Sequence, residues 1–445
     1  LTRWAVRCTA GIMDQLYIGI DVGTSGCRAV ALDASGRAVG QASQPMAPPR
    51  RSGKEIDQDP AVWWSAVEQV LTSLLDQLDR TQVRAIAVDG TSGTLLLTDA
   101  GGVPLGPGLM YNDTRAEAEA ARIAAVAPAT SGALGASSAL AKLLYVTAKG
   151  DVAEAVHALH QADWIAARLS GRFGLSDQNN ALKLGYDVVD QCWPTWPGTL
   201  GVRRELLPEV LVPGTVIGPI EEQQAGVFGL SSDVLIVAGT TDGVAAFLAT
   251  GAFDVGDAVT SLGSTLVVKQ LSDRPLFDQA SGVYSHRLGD LWLPGGASNS
   301  GGAALARHFD VEAIERLTPI LRPDVATGLD YYPLPDAGER FPIHDPSKPA
   351  VTEPRPDDDS VFLQGLLEGI AKIEGLAYQR LKGLGGPPLK RVLTVGGGAS
   401  NAAWTRIRRR CLGVEVVPAE KSEAAFGAAR LARNGYENSG KGHES

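Results

Sequence analysis

Apolar positions along the chain follow two periods, and where one gives way to the other the elements can be read. Tyr17-Ile-Gly-Ile-Asp21 is a short apolar run that ends in an acid and a Gly-Thr-Ser turn. It predicts a strand entering a tight turn, with Cys27 to Leu32 returning as the second strand of a hairpin. Asp59-Pro60 then opens a helix, because proline suits a first helical position and the aspartate can cap the free amides. Val62, Trp63, Ala66, Val67, Val70, Leu71, Leu74, Leu75 and Leu78 recur at spacings of three and four, the stripe of an amphipathic helix. Ala85 to Asp89 reads as the next strand and is followed by another Gly-Thr-Ser turn. Strands alternating with helices predict an α/β architecture.

Further along, residues 116–170 are alanine-rich and mostly helical in pattern. Residues 193–214, rich in Pro, Gly and Trp, read as a loop or insertion. Val234 to Ala238 restarts the strand pattern and ends in Gly239-Thr-Thr-Asp-Gly243. A domain boundary is placed just before it, near Ser232, giving domains over 14–232 and 233–434. Residues 322–358 read as an irregular excursion, Phe362 to Leu381 as a helix, Arg391 to Val395 as a strand, and the polar residues 435–445 as a disordered tail. One echo stands out. Asp21-Val-Gly-Thr-Ser and Ser261-Leu-Gly-Ser-Thr both lie between two strand patterns, half a chain apart. Either turn alone is equally a plain hairpin; together they point to two related domains facing across a cleft, with a phosphate clamp.

Composition narrows the function. The chain has 445 residues, enough for two large domains or three small ones. The formal net charge of -10 argues against a nucleic-acid partner, since phosphate backbones demand a basic face. The four cysteines are scattered, without a zinc module or disulfide framework, which fits a reducing cytoplasm. No apolar run reaches the ~18–20 residues that span a bilayer. Leu1 to Gly11 lacks the apolar core of a signal peptide, and Met13 is expected to be the natural start. The 52 glycines mark many places where backbone turns sharply or approaches a ligand.

Four constellations carry candidate chemistry. In Asp21-Val-Gly-Thr-Ser-Gly-Cys-Arg28, the glycines let backbone amides converge on phosphate oxygens. Thr24 and Ser25 add hydroxyls, Arg28 a cationic fork, and Asp21 can hold a magnesium-bound water; the same residues also build a tight turn. Asp89-Gly-Thr-Ser-Gly-Thr94, with Tyr111-Asn-Asp-Thr-Arg115, offers small polar side chains for sugar hydroxyls, although Asp113 and Arg115 equally read as a structural ion pair. Gly239-Thr-Thr-Asp-Gly243 presents Asp242 at a strand tip as a base for a hydroxyl attacking phosphorus; Asp242 can cap the following helix as well. Val395-Gly-Gly-Gly-Ala-Ser-Asn-Ala-Ala-Trp404 is a strand, a glycine turn and a helix start, where Asn401 offers hydrogen bonds and Trp404 a wall for a purine or a core residue. Gly413 stops that helix. A second glycine-rich run, Gly295 to Gly302, lies in the same half. His157 and His160 stand at helix spacing without acidic or cysteine company, so they read as surface or core histidines.

The order of these motifs, from Tyr17 to Ala432, resembles the FGGY carbohydrate kinases of the sugar kinase/heat-shock protein 70/actin superfamily. Val88-Asp-Gly-Thr-Ser-Gly-Thr94 and Met110-Tyr-Asn-Asp-Thr-Arg115 look most like the plant and cyanobacterial D-ribulose kinases. Most xylulokinases carry Gly-Gln-Met-His-Gly where this chain has Asp89 to Gly93. The resemblance implies two ribonuclease-H-like domains flanking a cleft, each a mixed five-stranded sheet with helices on both faces. It implies ATP and Mg2+ as cofactors, a sugar near Asp21, Ser92 and Asp242, and phosphates near Thr24, Ser25, Arg28, Gly263, Ser264 and Thr265. Adenine would lie at Gly397, Gly398, Asn401 and Trp404. The implied reaction is phosphorylation of D-ribulose to D-ribulose 5-phosphate, with Asp242 as general base and Asp21 beside it. Xylulokinase or another polyol kinase is the alternative within the family. Outside it stand an actin-fold chaperone or filament ATPase and a sugar-sensing protein without catalysis. No membrane or nucleic-acid partner is expected, and the sequence is silent on oligomeric state.

Overall fold

A computed structural model describes residues 15–150 and 152–440. The expected start at Met13 lies outside them. The described residues form two compact units, one running up to Ala249 and taking in the stretch from Glu423 onward, the other Thr250–Ser422.

The first unit is built on a six-stranded sheet in the order Val216–Pro219, Leu235–Thr241, Val83–Gly90, Leu16–Val22, Gly26–Asp33, Ala38–Pro45. The last three form antiparallel pairs, while Leu16–Val22, Val83–Gly90 and Leu235–Thr241 run parallel. Every residue of Leu16–Val22 is buried, because the strand is covered on both faces. Ile18 and Ile20 join one core with Trp63, Val67 and Leu71. Tyr17, on the alternate face, packs with Leu431 and Tyr436 of the C-terminal helix Ala424–Asn438. The helix Pro60–Leu75 forms as expected: the Asp59 carboxylate accepts from Ala61 N at 2.9 Å, and its apolar stripe is buried.

The second unit repeats the plan. Its sheet runs Tyr284–Leu288, Leu291–Ser298, Leu266–Gln270, Asp257–Leu262, Arg391–Val395, Glu415–Pro418. Asp257–Leu262 pairs antiparallel with Leu266–Gln270 and parallel with Arg391–Val395. Each sheet therefore has six strands where the resemblance implied five, with Val216–Pro219 at one edge of the first and Tyr284–Leu288 at one edge of the second. A fully buried fork braces this unit: Arg408 donates to both oxygens of Glu374 at 2.6 and 2.7 Å and to Thr394 Oγ1 at 2.6 Å. Such a pair is tolerable in the interior only because every polar atom is met.

Three expectations are corrected. The boundary near Ser232 falls in the wrong place, since Leu235–Thr241 is an interior strand of the first sheet and the units divide after Ala249. The compact second unit ends at Ser422, because the C-terminal helix packs into the first unit. A Cβ on Gly19 would sit 2.0 Å from Ala425 O, and one on Gly427 1.8 Å from Ala245 O, so bare backbone meets backbone at both crossings. Residues 435–438 complete that helix with Gly435 and Tyr436 buried, so the tail is not disordered from 435; 441–445 lie outside the described residues. Finally, His157–His160 is a strand, not a helix. His160 is hydrogen-bonded through Nδ1 to Asp163 at 3.0 Å, and His157 stacks on Phe173.

Candidate active site

Three acids gather at the carboxyl ends of the parallel strands of the first unit, the usual ligand side of such sheets. Asp21 and Asp89 are register partners on neighbouring strands. The third depends on a bulge. Register between Leu235–Thr241 and Val83–Gly90 shifts after Val237, and at Gly239 a Cβ would lie 1.7 Å from Val88 O. The missing side chain lets the strand close on its neighbour, which sets Thr240 opposite Asp89 and starts the helix Asp242–Ala249 at the strand tip. The Asp242 carboxylate accepts from the amide of its neighbour Gly243 at 2.6 Å, as the first residue of that helix.

Burial separates the three. Asp242 is partly exposed, Asp21 is 7 % exposed and Asp89 is 0 % exposed. Burial pushes the Asp21 carboxyl above its usual range, partly offset by Asp89 and by Arg28, whose guanidinium donates to it at 3.4 Å. Asp89 is pushed well above, first by burial, then by the nearby charges of Asp21 and Asp242. Two carboxyls in contact can bond only by sharing a proton, and no N–H or hydroxyl donor of the described residues reaches either oxygen of Asp89.

The Asp89–Thr94 loop is held from below. Thr91 donates to Gln161 Oε1 through its amide at 3.1 Å and its hydroxyl at 2.8 Å, and shares a 2.6 Å bond with Thr94. Lys142, fully buried, donates to Gly93 O at 2.8 Å and Met110 O at 2.7 Å. Burial lowers its ammonium to about 7. Ser92 Oγ is buried and receives no hydrogen bond. Asp113 and Arg115 are not part of this group. Arg115 donates to Asp113 at 2.8 Å and to Asp57 at 2.7 Å, and Asp113 accepts from Ile56 N, so the ion-pair alternative holds and braces the strand Glu55–Gln58.

The two echoing turns occupy the same place, the first hairpin of each sheet: 23–25 between Leu16–Val22 and Gly26–Asp33, and 263–265 between Asp257–Leu262 and Leu266–Gln270. Thr24 and Thr265 are half-buried; Ser25 and Ser264 are exposed. Around the second turn, Gly302 N donates to Gly263 O at 2.8 Å and Ala303 N to Ser264 O at 3.0 Å. Gly301, at φ +137°, has no room for a Cβ beside Thr265, so the Gly295–Gly302 run buttresses the turn.

In the second unit, Gly397 is open, with nothing within 4 Å of a Cβ. Trp404 is the correction here. It is 4 % exposed, donates through Nε1 to Leu367 O and belongs to the core with Phe362 and Ile407. Its ring lies beneath Gly398, where a Cβ would meet it at 2.7 Å, so it supports the glycine turn and is not a free wall for a purine. Asn401 caps the helix Ala402–Leu412, accepting from Trp404 N at 2.9 Å, and its amide donates to Thr318. The sequence reading passed over Asp89 as a third acid, Gln161 and Lys142. The signal for Lys142 was present: it is a cation inside the apolar stretch Ala139–Leu144.

Among the described residues no group of three His, Cys, Asp or Glu is set to hold a metal ion. A single carboxylate such as Asp21 suits a hydrated magnesium carried by phosphates, which keeps most of its waters. No helix of the described residues is long and apolar enough to cross a membrane.

Residues 16–249 match the FGGY family of carbohydrate kinases, N-terminal domain, and residues 258–434 match its C-terminal domain. The chain is 29% identical over 442 residues to a xylulose kinase of Streptomyces coelicolor, covering 94% of this chain and 87% of that one. It is 25% identical over 437 residues to the xylulose kinase of Escherichia coli, covering 94% and 90%. Its fold superposes on a xyloylose kinase from Brucella ovis with a TM-score of 0.87 and 25% identity, covering 95% and 91%. A glycerol kinase from Plasmodium falciparum with ADP gives 0.83 at 16% identity, covering 95% and 90%, which shows shared fold alone. With both family domains matched in order along one two-unit α/β fold, the chain belongs to the FGGY family of carbohydrate kinases.

Proposed function

We propose that this protein transfers the γ-phosphoryl group of ATP to a terminal hydroxyl of a ketopentose, with Asp242 as general base. The observation that carries the reading is the placing of Asp242 at the strand tip, next to the buried acids Asp21 and Asp89, by the bulge at Gly239. As the hydroxyl oxygen attacks phosphorus, its proton passes to the Asp242 carboxylate while the bond between phosphorus and the β,γ-bridging oxygen breaks, leaving ADP. Magnesium, when bound with ATP, supplies positive charge to the phosphates. Asp21 would hold one of its waters, and Thr24, Ser25, Gly263, Ser264 and Thr265 would offer amides and hydroxyls at the two turns. Arg28 is half-exposed and tethered to Asp21, so its reach to phosphate requires that contact to open. Gly397 and Gly398 would receive the adenine.

The relatives support D-xylulose as the substrate. D-ribulose, the C3 epimer, is the second reading. It rests on the Asp89-Gly-Thr-Ser-Gly-Thr94 segment, which stands where most xylulokinases carry Gly-Gln-Met-His-Gly, with Ser92 as a short hydroxyl-bearing contact. A site built to bond a hydroxyl rejects a sugar that leaves its polar groups unpaired. Steady-state kinetics of ADP release with D-xylulose, D-ribulose, L-ribulose and glycerol decide between them. The expected outcome is a kcat/KM for one ketopentose at least ~10-fold above glycerol. Turnover with none of the four would sink the ketopentose reading; the larger of the two pentose values assigns the substrate.

A further inference from the structure

Among the described residues, four of the ten buried side-chain polar atoms without a hydrogen-bonding partner belong to one loop of the first unit and the glutamine that holds it. They are both oxygens of Asp89, Ser92 Oγ and Gln161 Nε2. Buried polar groups are nearly always bonded, so a local concentration of exceptions calls for an occupant. Gln161 is fully buried, and its orientation is fixed: Oε1 must face the Thr91 amide, a donor, which turns Nε2 away from that loop with both protons unused. The loop is close at hand, since the Cβ position of Gly90 lies 3.1 Å from Gln161 Oε1. Asp89, the next residue back, offers acceptors at the end of the central strand, with Asp21 and Asp242 beside it.

Resting on the ketopentose kinase reading, we propose that Asp89 and Gln161 contact the sugar and determine its specificity, reading the donor and acceptor sides of hydroxyls away from the one that is phosphorylated. An amide N–H pair and a carboxyl oxygen, both buried and both short of partners, are complementary to hydroxyls, which donate and accept at once. A purely apolar ligand would leave every one of these atoms unpaired. Thr91 and Thr94 lock the loop, so the cluster is rigid enough to distinguish a moved hydroxyl from one in place.

Two substitutions test this, Gln161→Leu and Asp89→Ser. Each is expected to raise KM for the preferred pentose by about 10-fold or more while KM for ATP stays within about twofold, and to shrink the kcat/KM ratio between D-xylulose and D-ribulose. Thermal stabilisation of the protein by saturating sugar should shrink in parallel. If KM and the epimer ratio stay at wild-type values, these atoms meet only water and the inference fails. A rise in the magnesium concentration needed for half-maximal rate, with sugar KM unchanged, would make Asp89 part of the metal site and overturn the proposal. Should either variant fail to fold, Gln161→Glu keeps the shape of the side chain and the acceptor facing Thr91 while replacing the Nε2 donors by a carboxyl oxygen, and it must show the same sugar-selective loss. Should the wild-type chain phosphorylate no sugar, the kinase reading falls on its own. The sugar-induced thermal shift of wild type against variants then still decides whether these residues bind.

Discussion

Asp242 and Lys142 show how far a single side chain's role depends on its surroundings. Asp242→Asn keeps the shape and an oxygen for the Gly243 amide but loses the basicity. Turnover is expected to fall by ~10²-fold or more with sugar binding retained, measured by steady-state rate and by sugar-induced thermal shift. Near wild-type turnover would remove Asp242 from the mechanism. Lys142 makes a pH prediction. Its ammonium, ordinarily near 10.5, is pushed down to about 7 by burial. A neutral amine still has two N–H donors, enough for Gly93 O and Met110 O. Between those two values the unfolded chain binds a proton that the folded chain does not, so folding stability rises with pH across that window, by at most ~1.4 kcal/mol per pH unit. Lys142→Met lacks this dependence and strands two carbonyls. Its deficit against wild type in urea unfolding should be large at pH 9 and narrower at pH 7; a deficit that does not change with pH would refute the argument.

At the scale of elements, the glycine turn and helix from Gly396 to Leu412 divide the labour between floor and surface. Trp404 is floor. Trp404→Ala is expected to cost roughly 3–5 kcal/mol of stability, as large-to-small changes in a core do, and denaturant unfolding reads it directly. Gly397 is surface: it has open space above it and needs no left-handed backbone. Gly397→Ala should therefore leave stability within about 0.5 kcal/mol of wild type. Its KM for ATP should rise several-fold, because a methyl group would occupy the place where a flat ring approaches. Unchanged ATP kinetics in that variant would move the adenine elsewhere. The motif itself was plain in the sequence, as were the helix from Pro60 and the strand Arg391–Val395. What could not be read was which side of the turn the tryptophan would take, since Leu367, Phe362 and Ile407 reach it only through packing.

At the scale of the whole molecule, the C-terminal helix Ala424–Asn438 belongs to the first unit and seals the face of its sheet that carries Tyr17 and Gly19. A chain that stops at Ala249 would leave that face and the Ala245 backbone open to water. Such a fragment is expected to lack a cooperative thermal transition by circular dichroism, and joining residues 423–440 to it through a flexible linker should restore one. A sharp transition in the bare fragment would show that the helix is dispensable. Substitutions at Gly19 or Gly427 should mimic the loss, since a Cβ at either would collide with backbone and not with a yielding side chain.

The local elements and their order are legible in the chain without the fold. Periodicity, capping residues and glycine turns are short-range signals, and the paired motifs Asp21–Ser25 and Ser261–Thr265 disclosed the duplicated plan, because both serve the first hairpin of a sheet. What distant residues do to one another depends on packing. Only packing drew the last helix back to the first strand and set the division after Ala249. Only register across the Gly239 bulge aligned Thr240 with Asp89 and brought three acids together from positions 21, 89 and 242. Burial then turned Asp113 and Arg115 into a brace, Trp404 into a floor and Asp89 into a carboxyl in need of a partner. Desolvation and the fields of neighbouring charges arise from the folded surroundings, and no local pattern of residues encodes them.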